Sequence, residues 1–164
     1  MDNLAILALD GGQSVLLRPA TASDIPVIVQ LIAADQLGAI RDGVRDEADL
    51  AAYDQAFRAI DQDPAHILVV AESAGEVVGT MQLSFLPGLA RRGALRAQIE
   101  AVRVAESTRG GGLGAAMIQW AIEEARGRGC ALVQLTSDKS RADAHRFYQR
   151  LGFVSSHEGM KLKL

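Results

Sequence analysis

Arg109-Gly110-Gly111-Gly112-Leu113-Gly114 decides how this chain is read, because it stands between a strand-like run and a helix-like one. Ahead of it, Gln98 to Val104 has the composition of a strand. Behind it, Leu113, Met117, Trp120, Ala121 and Ala125 recur on one helical face, with Gly127 and Gly129 as the stop. Successive glycines let a backbone approach a bulky anion and take conformations closed to other residues. The N–H groups that open the following helix, aided by its dipole, are donors for phosphate oxygens. A Walker phosphate loop is excluded, since no Gly-Lys-Ser/Thr ending follows. A dinucleotide fingerprint fails as well, because no glycine follows Gly114 at the required spacing. Glycines alone do not separate an anion cradle from a plain turn.

Working outward, Val15 to Arg18 reads as a short strand ended by Pro19, and Thr21-Ala22-Ser23-Asp24 offers capping side chains. Ile25, Ile28, Val29, Ile32 and Ala33 follow at helical spacing, with Gly38 as the stop. Leu50, Tyr53, Phe57 and Ile60 mark a second amphipathic helix, broken at Asp63-Pro64. Ile67 to Ala71 and Val77 to Phe85 are strands joined through Ser73-Ala74-Gly75-Glu76, and Pro87-Gly88 opens a loop. Ala131 to Thr136 is apolar enough for a central strand. Asp143 to Leu151 is a helix closed by Gly152. Met160, Leu162 and Leu164 alternate with Lys161 and Lys163, the pattern of a half-exposed last strand that would permit a homodimer. The order of elements predicts an α/β layer arrangement around a mixed sheet, in one domain spanning residues 1–164.

Of the 164 residues 49% are hydrophobic and 23% charged, the balance of a globular chain. A net charge of −3 gives nucleic acid no concentrated basic surface. No apolar run approaches the roughly 20 residues that span a bilayer. Met1-Asp2-Asn3 lacks a basic leader, and the single cysteine, Cys130, suits a reducing compartment, so a cytoplasmic location is expected. His66 and His157 have no metal-ligand spacing and no Cys/His cluster exists, so no metal site is expected, and His145 reads as a packing or surface histidine. Cys130 opens an apolar strand and reads as buried and inert.

Two motifs together carry a family resemblance. Arg109-x-x-Gly112-x-Gly114 resembles the [Q/R]-x-x-G-x-[G/A] signature of the GNAT N-acetyltransferases, and Ala144 to Phe153 (AHRFYQRLGF) resembles their A-x-x-F-Y-x-x-x-G-F segment. Leu17-Arg18-Pro19-Ala20-Thr21 is similar to their first strand, so the likeness covers nearly the whole chain. It implies a GNAT-like mixed, twisted sheet flanked by helices, with splayed central strands. It implies acetyl-CoA as cosubstrate, with no metal, and a small-molecule or peptide amine as acceptor, attacked directly in a ternary complex. It also implies a pyrophosphate site on the backbone of Arg109, Gly110, Gly111, Gly112, Leu113, Gly114 and Ala115. The backbone of Val102, Arg103 and Val104 would pair with the pantetheine arm.

Tyr148 then occupies the general acid's place, opposite the departing thiolate. Glu100, two residues before Val102 and so expected on the same side of the strand, is a base or substrate contact; a structural ion pair is the other reading. Arg141 stands where relatives keep a cofactor-contacting asparagine, and Asp138 or Arg141 would take over that contact. The cluster Arg91, Arg92, Arg96 reads as a solvated loop or as a draw for an anionic acceptor, and the run Asp42, Asp46, Glu47, Asp49 would equally favour a cationic one. A non-catalytic acyl-CoA sensor would share the glycine loop and need neither acid nor base.

Overall fold

The computed structural model describes residues 3–34 and 38–164. Strands β1 (Ala5–Ala8) and β2 (Ser14–Pro19) open the fold, followed by α1 (Ile25–Ala33), the single turn α2 (Gly38–Arg41) and α3 (Glu47–Asp61). Next come β3 (His66–Ser73), β4 (Glu76–Leu86), the short turn α4 (Ala90–Gly93) and β5 (Arg96–Val104). Helix α5 (Leu113–Gly127), β6 (Leu132–Leu135) and α6 (Ala142–Arg150) complete it. The six strands lie in chain order in one sheet, antiparallel throughout except for the parallel pair β5–β6. The expected mixed sheet flanked by helices is therefore what forms.

Each face of the sheet buries a separate core. On one, α5 sets Leu113, Met117, Ile118, Ala121 and Ala125 against Leu17, Val69, Met81, Leu83, Ala97 and Ile99. Gly79 on β4 makes that approach possible: a Cβ there would stand 3.1 Å from Met117 Sδ and 3.2 Å from the Arg103 carbonyl oxygen. On the other face a smaller cluster joins Ala20, Ile28, Phe57 and Val70 beneath α1 and α3.

Four expectations change. Strand β1 was not anticipated; it pairs with β2 from Ala5↔Leu17 to Ala8↔Ser14. Gly38 opens α2 rather than stopping α1, which ends at Ala33. Residues 160–164 form no strand, and Met160 and Leu162 are 92% and 87% exposed. Alternation fixes a strand only where a partner and a buried face reward it, and nothing covers these side chains. Strand β6 is accordingly the sheet's edge rather than a central strand. It reads as apolar because Val133 and Leu135 pack into the α5 core. Among the described residues no helix is long and apolar enough to cross a membrane.

Arg18 locks the start of the fold. It donates two hydrogen bonds to Asp24, at 2.7 and 3.0 Å, and one to Glu72 at 2.8 Å. Asp24 also accepts from the Thr21 backbone N–H and hydroxyl. The Arg18 guanidinium holds the buried Asp24 carboxyl below its ordinary range. A depressed carboxylate contributes stability in full above its unfolded value and loses it as pH falls through the folded one. Asp24→Asn should therefore cost about 2–3 kcal/mol at pH 7. Urea unfolding of both proteins should show the gap beginning to close below about pH 4, where the unfolded carboxyl takes up its proton, and vanishing only as pH falls through the lower value of the folded one.

Candidate active site

The site begins with one extra residue in β5. Glu100 lies opposite Gln82 and Arg103 opposite Thr80, so Ala101 and Val102 together face Met81. Ala101 takes φ +51°, a left-handed conformation unusual for alanine and typical of a bulge. The insertion changes which way later side chains point. Ala97 and Ile99 belong to the α5 core, and so do Val102 and Val104 beyond the bulge. Glu100 consequently falls on the opposite face from Val102. The expectation that the two share a side fails, because strict alternation does not survive a bulge.

Strand β6 leaves β5 at the same point. Their pairing ends at Ile99↔Leu135, and beyond it the strands part. A cleft of about 70 Å³ occupies the gap, lined by Ile99 to Arg103, by Leu135 to Ser137, and by Arg141, Ala144 and Tyr148. Glu100 and Tyr148 thus stand on different walls of one cleft. Tyr148 makes edge-to-face contacts with Phe147 and Phe153, at 5.1 and 5.8 Å between ring centroids. Burial raises its phenol above the usual value, while Arg141 and Arg103 pull it partly back. The hydroxyl is therefore a neutral donor through the physiological range.

The glycine loop continues from β5. Gly110 and Gly112 have φ of +83° and +81°, which L side chains rarely adopt. Asp10 Oδ2 lies 3.8 Å from where a Cβ on Gly112 would be. Leu113 anchors the loop in the core, and a Cβ on Gly114 would lie 3.6 Å from the Phe147 ring. No side chain caps the first turn of α5, leaving the N–H groups up to Ala115 directed out of the helix end. Arg109 turns back, its Nε donating to the Val104 carbonyl at 3.4 Å. With Val104 and with Val27, Gln30 and Leu31 of α1 it lines a second cavity of about 300 Å³.

Of the other expected contacts, Arg141 reaches the cleft and Asp138 does not line it. The exposed Asp138 carboxylate accepts from the Ser140 hydroxyl and N–H, which hold it below its ordinary range. Its carbonyl accepts from Arg141 N–H at 3.0 Å and lies 2.8 Å from His145 Nε2. Asp138 therefore shapes the turn that presents Arg141. Neither charge cluster borders the cleft. Arg91 and Arg92 sit in the exposed α4 turn, whereas Asp46 caps α3 by accepting from Asp49 N–H and Asp49 pairs with Arg45. Burial pushes the Cys130 thiol up, away from the reactive thiolate.

Comparison with known proteins agrees with this geometry. The model of the acetyltransferase (GNAT) family matches residues 33–153, a span holding the bulge, the glycine loop and α6. An aminoalkylphosphonate N-acetyltransferase of Salmonella typhimurium is 33% identical over 141 residues, 86% of each chain. A glucosamine 6-phosphate N-acetyltransferase of Trypanosoma brucei brucei is 37% identical over 93 residues, 57% of this chain and 61% of the relative. A solved transcriptional regulator from Bacillus halodurans C-125 superposes with a TM-score of 0.86 at 43% identity, over 92% of this chain and 99% of that one. The chain belongs to the acetyltransferase (GNAT) family. It is an enzyme of acetyl transfer, an N-acetyltransferase.

The bulge itself can be probed through stability. Ala101→Gly relieves a left-handed alanine but loosens the unfolded chain, so the net change should stay within about 1 kcal/mol. Ala101→Val, favourable in an ordinary strand, should cost about 2 kcal/mol or more in urea unfolding, because a β-branched residue resists positive φ.

Proposed function

We propose that the enzyme transfers acetyl from acetyl-coenzyme A to the primary amine of a small molecule, in the cytoplasm, by direct attack in a ternary complex. The observation carrying this reading is a carboxylate and a neutral phenol on different walls of a cleft that opens where β5 loses β6. The residues present suit the cosubstrate. Left-handed Gly110 and Gly112 and the uncapped start of α5 form a concave set of N–H donors for a pyrophosphate. The β5 edge from Ala101 to Val104, no longer paired with β6, offers backbone groups to an extended amide-bearing arm.

The cosubstrate supplies an activated thioester carbonyl. Backbone N–H groups near Val102 stabilise the charge that develops on its oxygen. Glu100, directly or through one water, takes the proton that the amine must lose to attack. As the new N–C bond forms and the C–S bond breaks, Tyr148 delivers its hydroxyl proton to the sulfur. Arg141 and Arg103 steady the phenolate left behind until a proton returns from solvent.

Thiol release from acetyl-CoA, followed over a panel of amines, tests the reading. A sensor would bind acetyl-CoA and show no amine-dependent release. Glu100→Gln should lower turnover most near neutral pH, and the deficit should shrink at high pH as free amine becomes abundant. A deficit constant across pH would assign Glu100 to binding instead.

Tyr148→Phe keeps the ring contacts and removes one proton. Turnover should fall about 10²-fold, the lower part of the range for general acid catalysis, because a thiolate leaves tolerably well unaided. The wild-type rate should decline only above about pH 10, since burial raises the phenol, and the variant should lack that limb. Full activity of the folded variant would move the proton donor elsewhere.

A further inference from the structure

The face of the sheet opposite α5 changes character along its strands. Under α1 and α3 it is apolar, with Leu68, Val70 and Val77 packed beside Ile28 and Phe57. One pleat further along, the register sets His66 opposite Ser84, Ser84 opposite Gln98, and Gln98 opposite Gln134. Four adjacent strands thus each place a hydrogen-bonding side chain in a single row. Their sequence neighbours Ile67, Leu83, Phe85, Ala97, Ile99, Val133 and Leu135 point the other way, into the α5 core. Gln82 lies directly opposite Glu100, which lines the cleft, so the row begins beside it.

The row is held in place by its own contacts. His66 Nδ1 lies 2.8 Å from Ser84 Oγ, and Asp63 Oδ2 lies 3.7 Å from His66 Nε2. Gln82 Nε2 reaches Ser84 Oγ at 3.5 Å, and Gln134 Nε2 donates to Gln98 Oε1 at 2.7 Å. These bonds leave Gln98 Nε2 as a donor and Gln134 Oε1 and Gln82 Oε1 as acceptors with capacity to spare. Among the described residues none of the three is a buried atom lacking a partner, so each still meets solvent. Nothing in the packing requires this polarity, because the same strands turn apolar where helices cover them.

We propose that this row is the floor of the acceptor site and selects an amine carried on a neutral hydroxylated ring, an amino sugar. The proposal rests on the acetyl-transfer reading above and names its substrate class. Paired residues on neighbouring strands stand about 5 Å apart at Cβ, so an amine beside Glu100 keeps its frame over Gln82 and the row. A hydroxyl both donates and accepts, and so satisfies a mixed set of amide groups. A plain alkyl or cycloalkyl amine would strip water from the amides without replacing its hydrogen bonds, which sites of this kind penalise heavily.

The test compares glucosamine with cyclohexylamine, a ring of the same size without hydroxyls, each as kcat/KM per free base. Wild-type enzyme should prefer glucosamine by about 100-fold or more. In the double variant Gln98→Leu/Gln134→Leu, which removes both partners of one hydrogen bond together, that ratio should fall at least about 10-fold through the KM for the sugar. Acetyl-CoA affinity by calorimetry should be unchanged. Equal loss on both amines would make the row structural. Wild-type indifference to the hydroxyls, or preference for an aminoalkylphosphonate or a peptide N-terminus over glucosamine, would overturn the assignment without needing a folded variant. Binding of acetyl-CoA with no thiol release for any amine would instead sink the acetyl-transfer reading itself.

Discussion

The site depends on β5 keeping one neighbour and losing the other. Against β4 it stays paired to its end, at the cost of a bulge that holds Ala101 at positive φ. Against β6 it is paired only as far as Ile99. A strand bonded on one side has a free backbone edge on the other, and such an edge needs water, a ligand or another strand. Here the edge faces a cleft whose far wall is the turn after β6 and helix α6. The feature that makes the sheet imperfect is therefore the one that opens the cleft.

The rest of the molecule holds that opening fixed. The α5 core joins four strands, β2 to β5, through buried side chains, and Ile99 at the mouth of the cleft is one of them. At the opposite end of the chain order, the Arg18 cluster ties β2 and β3 to the entry of α1. Helix α1 and α3 then cover only part of the second face, and the polar row lies where their apolar cluster stops. Rigid support around a small opening is what the proposed acid and base require, because misplacement of a reacting group by about 1 Å can cost 10²-fold in rate.

Much of this was legible in the sequence, for local reasons. The glycine loop announces itself because left-handed positions at Gly110 and Gly112 admit few other residues, and Tyr148 is found through the motif around it. The elements β3 to α6 follow from periodicity and from stops such as Gly152, whose φ of +93° closes α6. What was not legible depends on register. The side taken by Glu100 turns on a bulge that no residue type marks, since Ala101 is an ordinary alanine in sequence. The row from His66 to Gln134 spans 69 positions and exists only once four strands are aligned. Strand β1 is short and flanked by turn residues. Residues 160–164 show the reverse case, a strand pattern with no surface to satisfy it.

The electrostatics of the cleft bind these parts into one machine. A phenol buried without compensation would be a poor acid, because its anion would have no support after the proton leaves. A phenol fully supported by cations would ionise early and lose its proton before the reaction needed it. Tyr148 lies between these limits: burial is the larger influence and keeps the proton on, while Arg141 and Arg103 offer charge to the anion once it forms. Arg103 comes from the far side of the bulge and Arg141 from the turn shaped by Asp138, so the phenol's balance is set by both walls. Glu100 lies on the other face of β5, where it forms no salt bridge among the described residues. One extra residue in β5 thus turns Glu100 and Val102 to opposite faces of a single strand, and leaves the carboxylate and the Tyr148 phenol on different walls of one cleft.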